Sequence, residues 1–306
     1  MIDLFGKKNT HVSLIPVSLG TSTVKIPVVK IIGKAAGPTL LITAGNDGDE
    51  YAGIAAAYAL IEEYANASFS GTLILIPIVN IPGFEQEMSQ NPIDHNFPKY
   101  IYPGDKNGSA SERLRYWLSE YAESSDFWLD LHGGSLVESL IPFAWGWKSG
   151  NADFDMSVLS MIQKLPVAYS AFSNALDFSK RLASKGCKYL LTESGAGGNN
   201  TGTSIDLQIT MTRIVMSELH MIHGDYSPID KQIFSTVTEY ILKKKGIWYA
   251  NFHPGTFIQK GSQIGVTRSL SGDSIEIITA KHDGVLLWGK EGLSARKGDV
   301  IAGVGY

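Results

Sequence analysis

Cysteine is nearly absent from the chain: Cys187 is the only one in 306 residues. An intramolecular disulfide framework is therefore excluded, and a single thiol suits a reducing compartment, so a cytoplasmic protein is expected. Long apolar runs are missing as well. No stretch has the length needed to span a bilayer, and residues 1–14 carry neither the apolar core nor the small-residue cleavage site of a secretory signal. Basic runs are short, Lys243-Lys244-Lys245 being an example, and the formal net charge is -4 with a pI near 6.0. Neither nucleic acid nor a membrane is expected as partner. The chain also lacks a P-loop, a dinucleotide glycine fingerprint and a Gly-x-Ser-x-Gly elbow, which sets aside three common catalytic frameworks.

What remains is an ordinary globular composition, 44% hydrophobic and 18% charged. At this length the chain can bury a substantial core, so one large domain with a small second one is expected. The stretch that organises the reading is Ala44 to Gly53, with Asn46, Asp47, Asp49 and Glu50 in close succession. Before it, Thr39 to Thr43 reads as a buried strand; after it, Ile54 to Tyr64 reads as a helix rich in good helix formers. Polar groups thus crowd a strand-to-helix turn, and in open α/β sheets ligands bind at strand carboxyl ends. Two readings stand for Asp47 and Glu50, three residues apart: they hold a metal ion, or the acids of this turn cap the helix.

In chain order, residues 12–33 alternate apolar with polar positions and predict a β-hairpin. Residues 72–80 form an apolar strand with Pro77 near its end. Residues 81–108, rich in Pro, Asn, Gly and Asp, predict an ordered active-site loop because they also hold Phe84, Phe97, Tyr100 and Tyr102. A helix follows over 109–121, with Ser109 or Ser111 as N-cap and Glu112 in its first turn. Strands are expected over 126–132, 139–146 and 188–193, and helices over 153–165, 175–185 and 203–223. The fold class is therefore α/β, a mostly parallel twisted sheet flanked by helices. From about residue 246, short strands punctuated by glycine predict a small C-terminal β-sandwich or barrel. The division is placed at 1–240 and 241–306.

Three expected strand ends now carry ionisable groups: Asp47 and Glu50, then His132, then Glu193. In a parallel sheet these ends share one edge, so the groups can meet. Asp, Glu and His make a ligand set for a divalent metal with an open position, and Glu193 is then the candidate base for a water activated there. Asp130 shares a strand face with His132 and can accept the second imidazole N–H, fixing its tautomer. The bland alternatives are a structural histidine before a Gly-Gly turn and a glutamate in an ion pair.

The three blocks Gly45-Asn46-Asp47-Gly48-Asp49-Glu50-Tyr51-Ala52-Gly53, Asp130-Leu131-His132-Gly133-Gly134 and Glu193-Ser194-Gly195 resemble those of the succinylglutamate desuccinylase/aspartoacylase family, relatives of zinc carboxypeptidases. Pro92-Ile93-Asp94, Tyr102-Pro103-Gly104-Asp105, Gly108-Ser109 and Ser111-Glu112-Arg113 resemble the family's active-site segment, and the glycine-spaced C-terminal block resembles its β-domain. The resemblance implies a zinc-carboxypeptidase-like fold and a zinc-dependent deacylase that hydrolyses an amide or ester of a small acylated substrate. It places the metal ligands at Asp47, Glu50 and His132 and the general base at Glu193.

The chain departs from the family's pattern at three places. Asp47 stands where the family usually has His. The family's oxyanion arginine falls on Ser89, and its carboxylate-holding Asn-Arg pair on Lys99-Tyr100. A carboxylate in place of an imidazole lowers the site's charge by one and makes Mn2+ or Co2+ more competitive with Zn2+. His95, Lys99 and Tyr100 are the candidate substrate-binding replacements, although Lys cannot reproduce a bidentate clamp. An acylated α-amino acid is accordingly disfavoured as substrate. Two other readings stay open: a catalytically impaired member that binds a small ligand or a protein, and a C-terminal domain that serves recognition or assembly into a homo-oligomer. His220 and His223, expected at a helix end, read as complements to its dipole; His253 and His282 read as turn residues.

Overall fold

A computed structural model describes residues 9–199 and 201–306. The first eight residues, part of the stretch read for a secretory signal, lie outside the described residues. Alternating side chains drive the first two strands together: Thr10–Ser18 (β1) and Thr23–Ile32 (β2) form an antiparallel hairpin. Then come Ala35–Ala44 (β3), helix Tyr51–Tyr64 (α1) and Ser70–Ile76 (β4). The fourth strand stops at Ile76 because Pro77 cannot donate to a ladder.

The segment expected as a loop contains a short α-helix, Ile81–Glu85 (α2), and a single 3-10 turn, Pro98–Tyr100. Asn80 caps it by accepting from the Gly83 amide at 3.2 Å, and Pro82 sits in its first turn, where a missing N–H does no harm. The next helix, Ala110–Glu123 (α3), starts with a full capping box: Ser109 accepts from the Glu112 amide, and Glu112 from the Ser109 amide.

Phe127–His132 (β5) is buried along its whole length, as a strand covered on both faces must be. The single strand expected over 139–146 is instead two, Glu138–Leu140 (β6) and Phe143–Trp147 (β7), divided at Pro142. Helix Ala152–Lys164 (α4) leads to Tyr169–Ser173 (β8), a strand not expected from its small polar residues. Helix Asp177–Ser184 (α5), Lys188–Glu193 (β9), helix Gly202–Glu218 (α6) and Gln232–Phe234 (β10) complete this part. The last helix ends five residues earlier than expected, since His220 takes φ +56° and Met221 bonds back to Met216. His220 and His223 therefore lie beyond the helix, not on its last turn.

The described strands build a nine-stranded mixed sheet in the order β1-β2-β4-β3-β5-β9-β7-β8-β10. Its pairings are antiparallel at β1–β2, β2–β4 and β7–β9 and parallel elsewhere. Because successive side chains of β3 point to opposite faces, that strand feeds the apolar clusters on both sides of the sheet. One cluster is centred on Leu40, Ile42, Leu60 and Met211; the other is centred on Leu41, Leu114, Leu118 and Trp128.

Val237–Ile241 (β11) already belongs to the C-terminal part. It is followed by Gly246–Ala250 (β12), Phe257–Ile258 (β13), Gln263–Arg268 (β14), Ser274–Thr279 (β15), Gly284–Lys290 (β16), Ser294–Ala295 (β17) and Val300–Gly305 (β18). They form two sheets, β11-β18-β16-β13 and β15-β14-β12-β17, packed around Trp248, Ile264, Leu286 and Ile301. The sixth strand lies outside the large sheet and pairs with β16, which ties the two parts together.

Candidate active site

Strand register assembles the candidate residues. The fifth strand lies between β3 and β9, with Thr43 beside Asp130 and His132 beside Glu193. Close backbone approach then brings the turn at 45–50 over the end of β5. A Cβ on Gly53 would lie 2.4 Å from the Leu131 carbonyl oxygen, and one on Gly48 would lie 2.1 Å from the Phe84 nitrogen. Glycine at both positions is what lets the turn sit this low.

The acids of this turn do not cap α1. Glu50, the N-cap residue, makes no side-chain cap bond. Asp49 instead accepts from the Ser89 hydroxyl at 2.6 Å and from the Leu136 amide at 3.3 Å. Asp47, Glu50 and His132 converge: each offers one ligand atom, and these atoms lie within 4.8 Å of one another. His132 Nδ1 is 2.8 Å from Glu50 Oε2 and 3.7 Å from Asp47 Oδ2. All three residues are buried. Neither Asp47 oxygen accepts a hydrogen bond of acceptable geometry. Two buried acids beside an imidazole nitrogen suit a divalent cation.

The other imidazole nitrogen is held from behind. His132 Nε2 lies 3.1 Å from Asp130 Oδ2, and the Asp130 carboxylate also accepts from Thr43 Oγ1 at 2.6 Å, Asn46 Nδ2 at 2.8 Å and Tyr189 OH at 3.3 Å. With Nε2–H donated to Asp130, Nδ1 faces Asp47 and Glu50; its proton bonds Glu50 in the ion-free chain, and an ion would take that proton's place. Arg115 steadies this layer. Its Nη1 donates to Asn46 at 2.8 Å, its Nε donates to the Ile101 carbonyl at 2.8 Å, and it lies over the Trp128 ring.

Electrostatics follow from burial and crowding. Burial raises the Asp47 carboxyl to about 7; Lys99 pulls it down and Glu50 pushes it up. Burial favours neutral His132, but the carboxylates of Asp130 and Glu50 outweigh it and raise its pKa well above the usual value. Glu193 is raised well above a normal glutamate, first by burial and then by the charge of Glu50. Its Oε2 is buried and has no hydrogen-bond partner. Such a carboxyl holds a proton more tightly than an exposed glutamate does.

Lys99 reaches the cluster with Nζ 2.5 Å from Asp47 Oδ2, while its side chain stays 30% exposed. Tyr100 stands at the rim, its hydroxyl 3.4 Å from Glu239. Ser89, where the family's arginine would fall, bonds Asp49 and also lines the cavity. His95, expected at the site, is not there. It is exposed at φ +58° on a turn that Asn91 and the Asp94–Ser111 bonds pin to α3, and it is not among the residues that line the cavity. His253 and His282 lie in the C-terminal part, as turn residues do.

Above the cluster lies a cavity of about 770 Å³, bounded by the large sheet on one side and by Glu239, Trp288 and Lys290 of the C-terminal part on the other. Sequence reasoning missed Arg115, Tyr189 and Glu138, all of which line it. A signal existed for Arg115, which shares the buried face of α3 with Ser111, Leu118 and Ala122 at helical spacing. Glu138 is raised to about 7, mainly by burial, with Lys99 opposing.

Comparison with known proteins adds a second line of support. Residues 36–218 match the succinylglutamate desuccinylase/aspartoacylase catalytic domain. Over 293 residues the chain is 28% identical to the N-alpha-acetyl-L-2,4-diaminobutyric acid deacetylase of Halomonas elongata, covering 91% of this chain and 85% of that protein. A succinylglutamate desuccinylase from a Silicibacter species shares the fold with a TM-score of 0.82 at 23% identity, over 100% of this chain and 98% of the other. The product-bound ectoine utilization protein EutE (DoeB) from Ruegeria pomeroyi does so with a TM-score of 0.81 at 22% identity, over 100% and 97%. At such identities the structural likeness speaks for the fold alone. Among the described residues no helix is long and apolar enough to cross a membrane.

Proposed function

The chain belongs to the succinylglutamate desuccinylase/aspartoacylase family and is with it a hydrolase of acyl-amide bonds; on that premise we propose that Asp47, Glu50 and His132 hold one divalent ion, Zn2+, and that Glu193 is the general base. The observation that carries the reading is the convergence of these three buried ligand atoms within 4.8 Å. The ion, when bound, supplies Lewis acidity toward the substrate carbonyl and lowers the pKa of the attacking water.

The chain's own residues do the rest. Glu193 Oε2, buried and unpartnered, takes a proton from the water as the water oxygen adds to the carbonyl carbon. The same carboxyl then delivers that proton to the leaving nitrogen as the C–N bond breaks, giving a carboxylic acid and an amine; the acid's proton passes to the amine, so the products are a carboxylate and an ammonium ion. Asp130 holds the Nε2–H of His132, so the imidazole keeps one tautomer and one orientation. Lys99, the cation nearest the cluster, supplies positive charge where oxyanion charge develops, in place of the arginine that Ser89 does not provide.

The test is Glu193→Gln assayed on N-acyl amino acids, amides and esters with Zn2+, Mn2+ or Co2+. We expect turnover to fall by about 100- to 10,000-fold with ion binding retained, the range for loss of a general base. The Lys99–Asp47 contact favours one competing reading, a member that binds ligand without hydrolysing it. Ion-dependent turnover that disappears in Glu193→Gln excludes that reading; no turnover with any ion and substrate supports it.

A further inference from the structure

The cavity wall beyond the cluster is aromatic. Register places Phe143 of β7 beside Glu193 and Trp145 beside Leu191, so the sheet face bearing Glu193 continues onto Trp145 and Trp147. These two indoles stack at 4.7 Å and 21°. Phe178 extends the row, 5.6 Å from Trp147, and Tyr189 closes it, 4.9 Å from Phe178. All four rings line the cavity and none is fully buried, so ring surface faces the open space. Two polar handles are already taken: Trp145 Nε1 donates to Ser173 Oγ at 2.9 Å and Tyr189 OH to Asp130 at 3.3 Å.

The charges lining the same cavity are unbalanced in their availability. Among the described residues its basic side chains are Lys99, Arg115, His132 and Lys290; Lys99 and His132 belong to the acidic cluster, and the other two are paired elsewhere. Lys99 lies 2.5 Å from Asp47, Arg115 is bonded to Asn46 and the Ile101 carbonyl, and Lys290 lies 3.0 Å from Asp299. The carboxyl groups of Glu138, Glu193 and Glu239 face the same space. A substrate carboxylate laid on the aromatic wall would find Arg115 and Lys290 already paired and would face further carboxyl groups, an unfavourable burial. A flat uncharged group would instead cover ring surface and form stacked or edge contacts.

The geometry points to a specificity subsite formed by Trp145, Trp147, Phe178 and Tyr189 that takes an uncharged, aromatic-sized group on the substrate and disfavours a free carboxylate. This deepens the amide-hydrolase reading and rests on it, so binding and turnover are measured separately. The probes are N-acetylphenylalaninamide, N-acetylphenylalanine and N-acetylalaninamide, titrated by tryptophan fluorescence into the full zinc-loaded chain carrying Glu193→Gln.

The ring-bearing amide is expected to bind about tenfold more tightly than the ring-bearing acid and than the alanine amide. Trp147→Ala should remove most of that advantage while Trp147→Phe keeps it, both judged against their melting temperatures. If Trp147→Ala does not fold, Trp147→Leu takes its place. Equal or tighter binding of the acid, equal binding of the alanine amide, an unchanged advantage in the Trp147 variants, or no binding of any probe overturns the subsite. Should the expected preference appear while the unsubstituted Glu193 chain hydrolyses none of the three, the subsite stands and the hydrolase reading fails.

Discussion

Lys99 Nζ lies 2.5 Å from Asp47 Oδ2, so an ammonium group sits against the carboxylate that would serve as a metal ligand. Burial works against a charged Lys99, but Asp47 and its acidic neighbours outweigh it and hold the pKa well above the usual value. The lysine therefore balances the acidic cluster when no ion is bound, and it repels an ion that arrives. Lys99→Met is expected to bind Zn2+ several-fold more tightly, because a like charge is removed. Turnover at saturating Zn2+ should fall on the order of 100-fold, the loss typical of an oxyanion donor. Metal-buffered titration alongside kcat separates the two effects; weaker ion binding in the variant would contradict this role for Lys99.

The ion-free protein should lose stability as pH rises. Asp47 and Glu138 are both raised to about 7, each chiefly by burial, from ordinary carboxyl values near 4. Between those limits the folded chain binds more protons than the unfolded one, so stability falls with rising pH. His132 has the same sign at higher pH: its raised value gives stability that is complete below about 6.5 and is lost as pH climbs through the folded value. The lowered Asp130 opposes the trend only at acid pH, below about 4. Melting temperature, followed from about pH 5 to about pH 8 with chelator present, should drop by several degrees. Added Zn2+ should recover more of it at the upper end, since an ion binds the ionised cluster. A flat or rising profile would contradict the assignment of buried, protonated acids.

Asp130→Asn tests how His132 is held. The substitution keeps size and leaves an acceptor for Thr43, but it removes the charge facing Nε2. Zn2+ affinity should fall by about 10- to 100-fold, as for other residues that orient a metal-binding histidine. The readout is affinity at fixed pH together with the pH at which binding is half lost. A variant that merely loosens the fold would lower the melting temperature without moving that pH midpoint.

The parts of this molecule that were legible in the sequence share a physical reason. The fifth strand, Phe127–His132, is covered on both faces and so reads as an apolar run ending at Gly133. Helix α3 announces its start through Ser109 and Glu112, whose capping box depends on local spacing alone. Asp47, Glu50 and His132 were legible as a group because consecutive parallel strands put their carboxyl ends on one edge. The aromatic wall was not. The seventh strand precedes β9 in the chain but lies outside it in the sheet and runs antiparallel to it, and no local pattern encodes that order. Glu138 was hidden for a similar reason, since its strand lies outside the large sheet and pairs with the distant β16. His95 failed through turn geometry: the left-handed residue at the tip of a pinned turn faces solvent, whatever its chemistry would allow.

The most direct test of the account is calorimetric titration of Zn2+ into the chelator-treated chain and into its Asp47→Ala variant. About one ion per chain is expected for the unsubstituted protein, with protons released from the buried cluster as the ion enters. Asp47→Ala should bind at least about tenfold more weakly, having lost one ligand and left Lys99 beside the site without its partner. Failure of the unsubstituted chain to take up any ion, or equal affinity in Asp47→Ala, would contradict it.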